Sequence, residues 1–220
     1  LVREYELKTI ADNLSIETLA DSVNKKSSHK IIRTKEQFSK IIKKFSEAKI
    51  FSFDTETTSL DAINAKLVGV SLCMKPHESF YIPFGHDDKK QNIDFSEKIF
   101  FEELKKLLSN TQNTIIGQNI KYDMNVLEKY GLKIESNIQD TMILSYILNS
   151  SGRHDLDTLS NKYLNHKAIA YKEIVGSGAK QKKFSEVDVK LAAPYACEDA
   201  DLTFRLFNYF LDKLSDLKEQ

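Results

Sequence analysis

With 220 residues, 41% of them apolar and 29% charged, the chain has material for one substantial core and too little for two full domains. Its 32 basic and 32 acidic residues cancel, which argues against a protein built for tight, non-specific grip on duplex nucleic acid and leaves open a grip on a few nucleotides. No apolar run is long enough to span a membrane, and two cysteines, Cys73 and Cys197, without metal-ligand spacing, argue against a disulfide framework and a zinc site and fit a reducing cytoplasm.

The chain opens on Leu1 rather than Met, as a fragment or processed chain does, and LVREYELKTI lacks the basic flank and apolar core of a signal peptide. Residues 1–30 read as an N-terminal extension or linker remnant: Ser15 caps a short helix carrying Ile16, Leu19, Ala20 and Val23, and NKKSSHK follows as a linker. The globular part, 31–220, starts with a capping box, Thr34 and Gln37, before a helix whose buried stripe is Phe38, Ile41, Ile42 and Phe45. Residues 50–54, 65–74 and 78–84 read as three strands with short connections, hence an antiparallel meander. A helix over 97–109 follows, with Phe100, Phe101, Leu104, Leu107 and Leu108 inward. Next come a short buried strand at 114–117 and a helix over 119–130. From Thr141 the pattern is helical, over 141–149, 156–164 and 191–217. The Gly- and Lys-rich stretch 171–184 reads as a mobile surface loop.

Three segments carry the chemistry. In FDTETTSLD (53–61) an apolar strand runs into Asp54 and Glu56, which alternation places on one side of its end. Two acids there repel unless a cation compensates them, although the spacing alone equally suits an acidic strand-end turn. In GQNIKYD (117–123) Gly117 ends a strand tightly, Asn119 caps a helix, and Asp123 lies one turn further on the same face. In YACEDAD (195–201) Tyr195 and Asp199 are one turn apart, after Pro194 at a helix start where the macrodipole favours an anion. Glu198 and Asp201 face solvent, and Cys197 is a spectator. Asp54, Glu56, Asp123 and Asp199 together are hard oxygen ligands, suited to Mg²⁺ or Mn²⁺. Four carboxylates suffice for two divalent cations roughly 4 Å apart, the arrangement used in phosphoryl transfer.

These segments resemble the three exonuclease motifs of the proofreading 3′–5′ exonuclease domain of bacterial DNA polymerase I (family A), in the tyrosine-containing branch of the DEDD superfamily. The resemblance covers about residues 50–215 and includes 152–169 and the 176–184 loop. It implies an α/β, RNase H-like fold with a mixed central sheet, three antiparallel strands then parallel strands, flanked by helices. It also implies metal-dependent cleavage at the 3′ end of single-stranded DNA, and a polymerase domain as partner in the full-length protein. By position, Asp54, Glu56, Asp123 and Asp199 match the metal-binding carboxylates, and Tyr195 matches the tyrosine that orients the attacking water. Leu60 matches a wedge against the terminal base, and Gln118, Asn119, Arg153 and Phe184 match positions near the substrate. Read by themselves, Leu60 equally suits a core position, and Phe184 either stacks on a base or anchors its loop. His154 beside Asp155 offers no nucleophile and shapes a helix start. Two other readings share much of this pattern: a 3′–5′ exoribonuclease of the same superfamily, and a non-catalytic module of a polymerase. The intact acid set disfavours the second.

Overall fold

The computed structural model describes residues 27–218, so the helix expected after Ser15 lies outside the described residues. Six strands form one sheet: β1 (Ser28–Ile31), β2 (Ile50–Thr57), β3 (Leu67–Lys75), β4 (Glu78–Pro83), β5 (Thr114–Gly117) and β6 (Asn137–Asp140), in spatial order β1-β4-β3-β2-β5-β6. β2, β3 and β4 make the expected antiparallel meander, and β5 and β6 add on in parallel, with β1 parallel to β4 at the far edge. This is the mixed α/β sheet anticipated. β1 and β6 are additions to it, and β1 takes part of the stretch read as a linker.

The helices are α1 (Lys35–Ser46), α2 (Glu97–Leu108), α3 (Ile120–Glu128), α4 (Thr141–Leu148), α5 (Leu156–Leu164), α6 (Tyr171–Val175) and α7 (Val189–Lys218). α1 starts at the capping box read from the sequence, with Thr34 accepting from the Gln37 N–H and the Gln37 side chain reaching back. Its stripe joins Phe100 and Leu104 of α2 against Phe51 and Phe53 of β2. Rings there meet tightly: Phe45 and Phe51 edge-on at 5.3 Å, Phe84 and Phe100 stacked at 4.8 Å. Phe45, Phe51 and Phe100, fully buried, each contribute about 1.5–3 kcal/mol through water exclusion alone.

The alternation of β2 divides its side chains between two layers. Phe51 and Phe53 enter the core under α1 and α2. Ser52 faces the other layer, where its hydroxyl lies 2.7 Å from the Ala200 carbonyl of α7. Asp54 and Glu56 share the parity of Ser52, so both acids point towards α7.

α7 begins earlier than expected. Asp188 caps it, accepting the Lys190 N–H, and Pro194 lies within the helix rather than at its start. Asp199 is therefore about three turns in, beyond the reach of the helix-end field, and the dipole argument for its charge falls. Asp201 is also corrected: it is buried and accepts from the His77 N–H and from Arg205 at 3.3 Å, so it ties the β3–β4 turn to α7. Glu198 likewise points inward, accepting the Ile169 N–H at 2.6 Å beside His166 at 2.8 Å.

The stretch 171–184 is built rather than loose. α6 and two short 3₁₀ turns fill it, and Phe184 is fully buried. Asp87 N–H donates to Ser185 O, and the His86 ring pairs with Val187 O at 3.0 Å, clamping the segment to the sheet. Lys180, Lys182 and Lys183 are exposed.

Candidate active site

A cleft of about 630 Å³ opens at the carboxyl end of β2. Asp54, Glu56, Asp123, Tyr195 and Asp199 line it, with Leu60, Gln118 and Asn119. Three segments, with Asp54 and Asp199 145 positions apart, thus converge, as the motif reading anticipated. Ligand oxygens of Asp54, Glu56 and Asp199 all lie within 4.8 Å of one another. Asp123 stands slightly apart: one of its oxygens accepts both the Thr55 N–H at 2.9 Å and the Thr55 hydroxyl at 2.6 Å. Thr55 has the opposite parity from Asp54, so β2 reaches α7 with one pair of side chains and α3 with the next.

α3 is delivered to this position by a tight approach. A Cβ on Gly117 would lie 2.6 Å from the Ile120 Cβ, so only glycine lets the strand turn directly into the helix. Asn119 occupies the N-cap but in the left-handed region (φ 58°), and its side chain caps nothing. Asp140 of β6 instead accepts the Asn119 and Ile120 N–H groups at 3.1 and 3.0 Å. The sequence placed Asn119 correctly and its side-chain bond incorrectly, because the competing acceptor comes from a strand 20 residues away.

The electrostatics are those of crowded anions in a dry place. Burial pushes Asp54 up to about 6. Glu56 rises well above the usual carboxylate range, first through burial and then through repulsion by Asp54, Asp199 and Asp123. Asp123 is raised by burial and by Asp54 against the opposing Thr55 bonds, and Asp199 by burial and Asp54 with Tyr195 pulling the other way. The Tyr195 phenol is pushed up as well, by burial and by the neighbouring Asp199 charge. Glu56 Oε1 is buried with no hydrogen-bond partner. An orphaned hard oxygen among three other carboxylates is what a divalent cation would satisfy, so the residues present fit that group.

The surrounding residues divide. Leu60 is 94% exposed, which removes the core reading and leaves it as an apolar projection at the cleft. Gln118 spans from the cleft to the His154 carbonyl at 2.7 Å. Arg153 is outside the cleft lining, exposed and paired with Asp155 at 2.9 Å. Phe184 does not reach the cleft: its buried ring packs behind Tyr171 and Tyr195, with centroids 6.3 and 5.9 Å away, so base stacking by Phe184 gives way to the anchoring alternative. Besides Tyr195, the aromatics lining the cleft are Tyr122 and Tyr171, both of which the sequence reading missed; the only signal for Tyr171 was an aromatic opening a segment otherwise read as loop. His154 Nδ1 does meet Ser145 Oγ at 2.7 Å. That serine is buried and donates to Met142 O, so the pair is structural.

A model of the family described as 3′–5′ exonuclease matches residues 29–215. DNA polymerase I of Pseudomonas aeruginosa is 36% identical over 225 residues, covering 97% of this chain and 25% of that protein. DNA polymerase I of Borreliella burgdorferi is 36% identical over 190 residues, covering 86% and 20%. The chain thus spans a quarter or less of these relatives' length. Among solved structures, Brucella melitensis NrnC with bound Mg²⁺ aligns at TM-score 0.57 and 18% identity over 86% of this chain and 81% of that one, a likeness of fold. With a family match across most of its length and polymerase I relatives at 36% identity, the chain belongs to the 3′–5′ exonuclease domain family of bacterial DNA polymerase I.

Proposed function

We propose that the chain removes nucleotides singly from the 3′ end of single-stranded or frayed DNA by two-metal-ion hydrolysis, releasing 5′-mononucleotides. The observation that carries this reading is the convergence of Asp54, Glu56 and Asp199 within 4.8 Å at the floor of an open cleft. Asp54, Glu56, Asp199 and Asp123 would hold the two divalent cations, Mg²⁺ or Mn²⁺. When bound, such ions polarise a water and offset charge on the departing 3′-oxygen. Tyr195 orients the attacking water. With ionised carboxylates beside it the phenol keeps its proton, so it positions the water and does not act as the base. Leu60 and Tyr171 supply apolar and aromatic surface for the terminal bases, and Gln118 and Asn119 supply polar contacts. Arg153, exposed beside the Gln118 bridge, supplies a phosphate contact outside the cleft wall. A polymerase domain as the covalent partner accords with the length of the relatives.

The test is a time course on end-labelled single-stranded DNA with and without Mg²⁺, beside Asp54→Ala and a matched RNA strand. The expected result is metal-dependent shortening from the 3′ end, lost in the variant and slower on RNA. Equal rates on RNA would transfer the assignment to an exoribonuclease, and full activity in Asp54→Ala would remove the acid cluster from the chemistry.

A further inference from the structure

The segment between β2 and β3 presents two of the most exposed large apolar side chains among the described residues, Leu60 at 94% and Ile63 at 82%, yet it is fastened at every part. Its neck is closed by Thr58 N–H to Lys66 O and Lys66 N–H to Thr58 Oγ1, both 3.0 Å. Its tip is a single helical turn, with the Asn64 and Ala65 N–H groups donating to Asp61 O at 3.1 and 2.8 Å. Asp61 caps the start of that turn through Ile63 N–H at 3.0 Å and Asn64 Nδ2 at 2.6 Å. The end of the turn is closed by Lys129, the residue that terminates α3. Its ammonium donates to Ala62 O at 2.8 Å, Ile63 O at 3.4 Å and Ala65 O. A cation over the carbonyl end of a turn is favoured by the local dipole, and charge-assisted bonds are the strong kind. Two more groups of the same stretch hold the neck: Tyr122 donates to Ser59 O, and the Leu67 N–H donates to Tyr130 at 2.9 Å.

A loop fixed so thoroughly, with its apolar residues turned outward, is shaped for contact rather than for stability. We propose that Lys129 is a positioning residue for the loop 58–66: by closing its turn it keeps rigid the apolar separator tip, Leu60 together with Ile63, whose contact with the terminal base is the one the family resemblance implies for Leu60. The proposal rests on the reading that this cleft receives a DNA 3′ end. Three of the separator's fastenings come from residues 122–130, the stretch that carries Asp123, so tip and acid cluster move as one body. Removing the ammonium leaves three carbonyls converging without a donor, and the tip loosens while the acids stay in place.

The experiment compares wild type, Lys129→Met and Lys129→Arg by two readouts. Hydrogen–deuterium exchange reads the tie without any substrate: in Lys129→Met the amides of 58–66 should exchange about tenfold faster, with β2 and α7 unchanged. Single-turnover cleavage reads its consequence. In Lys129→Met the rate ratio between mispaired and paired 3′ ends should change by about threefold or more, while cleavage of a short single strand, which needs no separation, stays within about twofold. Lys129→Arg, which keeps a multi-donor cation, should recover both. Unchanged exchange in the loop would overturn the tie. Faster exchange with an unchanged ratio, or an equal fall on every substrate, would overturn the separator role. A wild type that cleaves no DNA end would refute the underlying functional reading and the separator with it, while the exchange experiment still decides whether Lys129 holds the loop.

Discussion

Replacing Asp54 by Asn tests the electrostatic account of the site without any substrate. Burial lifts the Asp54 carboxyl from 3.8 to about 6, so the folded chain holds this proton more tightly than the unfolded one. The sign follows: the group costs nothing below pH 3.8, and stability is lost as pH rises from there through about 6. Above that window the loss from Asp54 alone reaches about 3 kcal/mol, and at pH 4.5 it is about 1 kcal/mol. For a domain of this size about 3 kcal/mol corresponds to roughly 6–12 °C in Tm. In EDTA, Asp54→Asn should therefore melt higher than the wild type at pH 8, and the gap should shrink severalfold at pH 4.5. Saturating Mg²⁺ should raise the wild type at pH 8 and move the variant little, because binding to the folded form alone is what stabilises. Differential scanning fluorimetry at the two pH values gives all four comparisons. A variant no more stable than the wild type at pH 8, or a gap as wide at pH 4.5, would refute the claim that burial holds the Asp54 carboxyl above its free value.

Asp199→Ala should lower turnover by about 10³-fold or more while circular dichroism and Tm show an intact fold, since it removes one of three clustered oxygen ligands. Tyr195→Phe should keep the ring packing and slow single-turnover cleavage by about tenfold or more; an unchanged rate would take the hydroxyl out of the mechanism. Phe184→Ala should cost about 3–5 kcal/mol in urea unfolding, because it empties a fully buried position behind Tyr195 and Tyr171. Loss of activity larger than the stability loss explains would show that the ring also aims Tyr195.

The elements that sequence pattern disclosed are those with their own apolar period. α1 and α2 carry full buried stripes, and β2, β3 and β4 are buried along most of their length. β1 (SHKI) and β6 (NIQD) are short, polar edge strands whose existence depends on pairing with β4 and β5, so nothing local announces them. The same limit explains the misplaced side chains. Phe184 looks exposed among lysines, and Asp201 looks like a surface acid; each is buried by partners far along the chain, the His77 N–H in the latter case 124 positions away. Pro194 read as a helix start because proline favours the first turn, but Asp188 supplies a stronger cap upstream. The acid set itself was legible because its residues lie in dense motifs. Tyr171 was not, since only the fold brings α6 to the cleft.

The fold must hold four carboxylates closer than they would choose to be, and it does so through ties placed next to the acids. Ser52, two residues before Asp54, bonds the carbonyl of Ala200, the neighbour of Asp199. Thr55, between Asp54 and Glu56, gives Asp123 two bonds at once. Both ties issue from β2, which pairs on one side with β3 and on the other with β5 and so cannot shift to relieve the strain. Because alternation sends Ser52 to α7 and Thr55 to α3, a slip of one residue would exchange the core phenylalanines with the acids as well as break both bonds. The register that buries Phe51 and Phe53 is thus the register that assembles the site. Selection for a stable core and selection for the acid cluster act on the same six residues, 51–56.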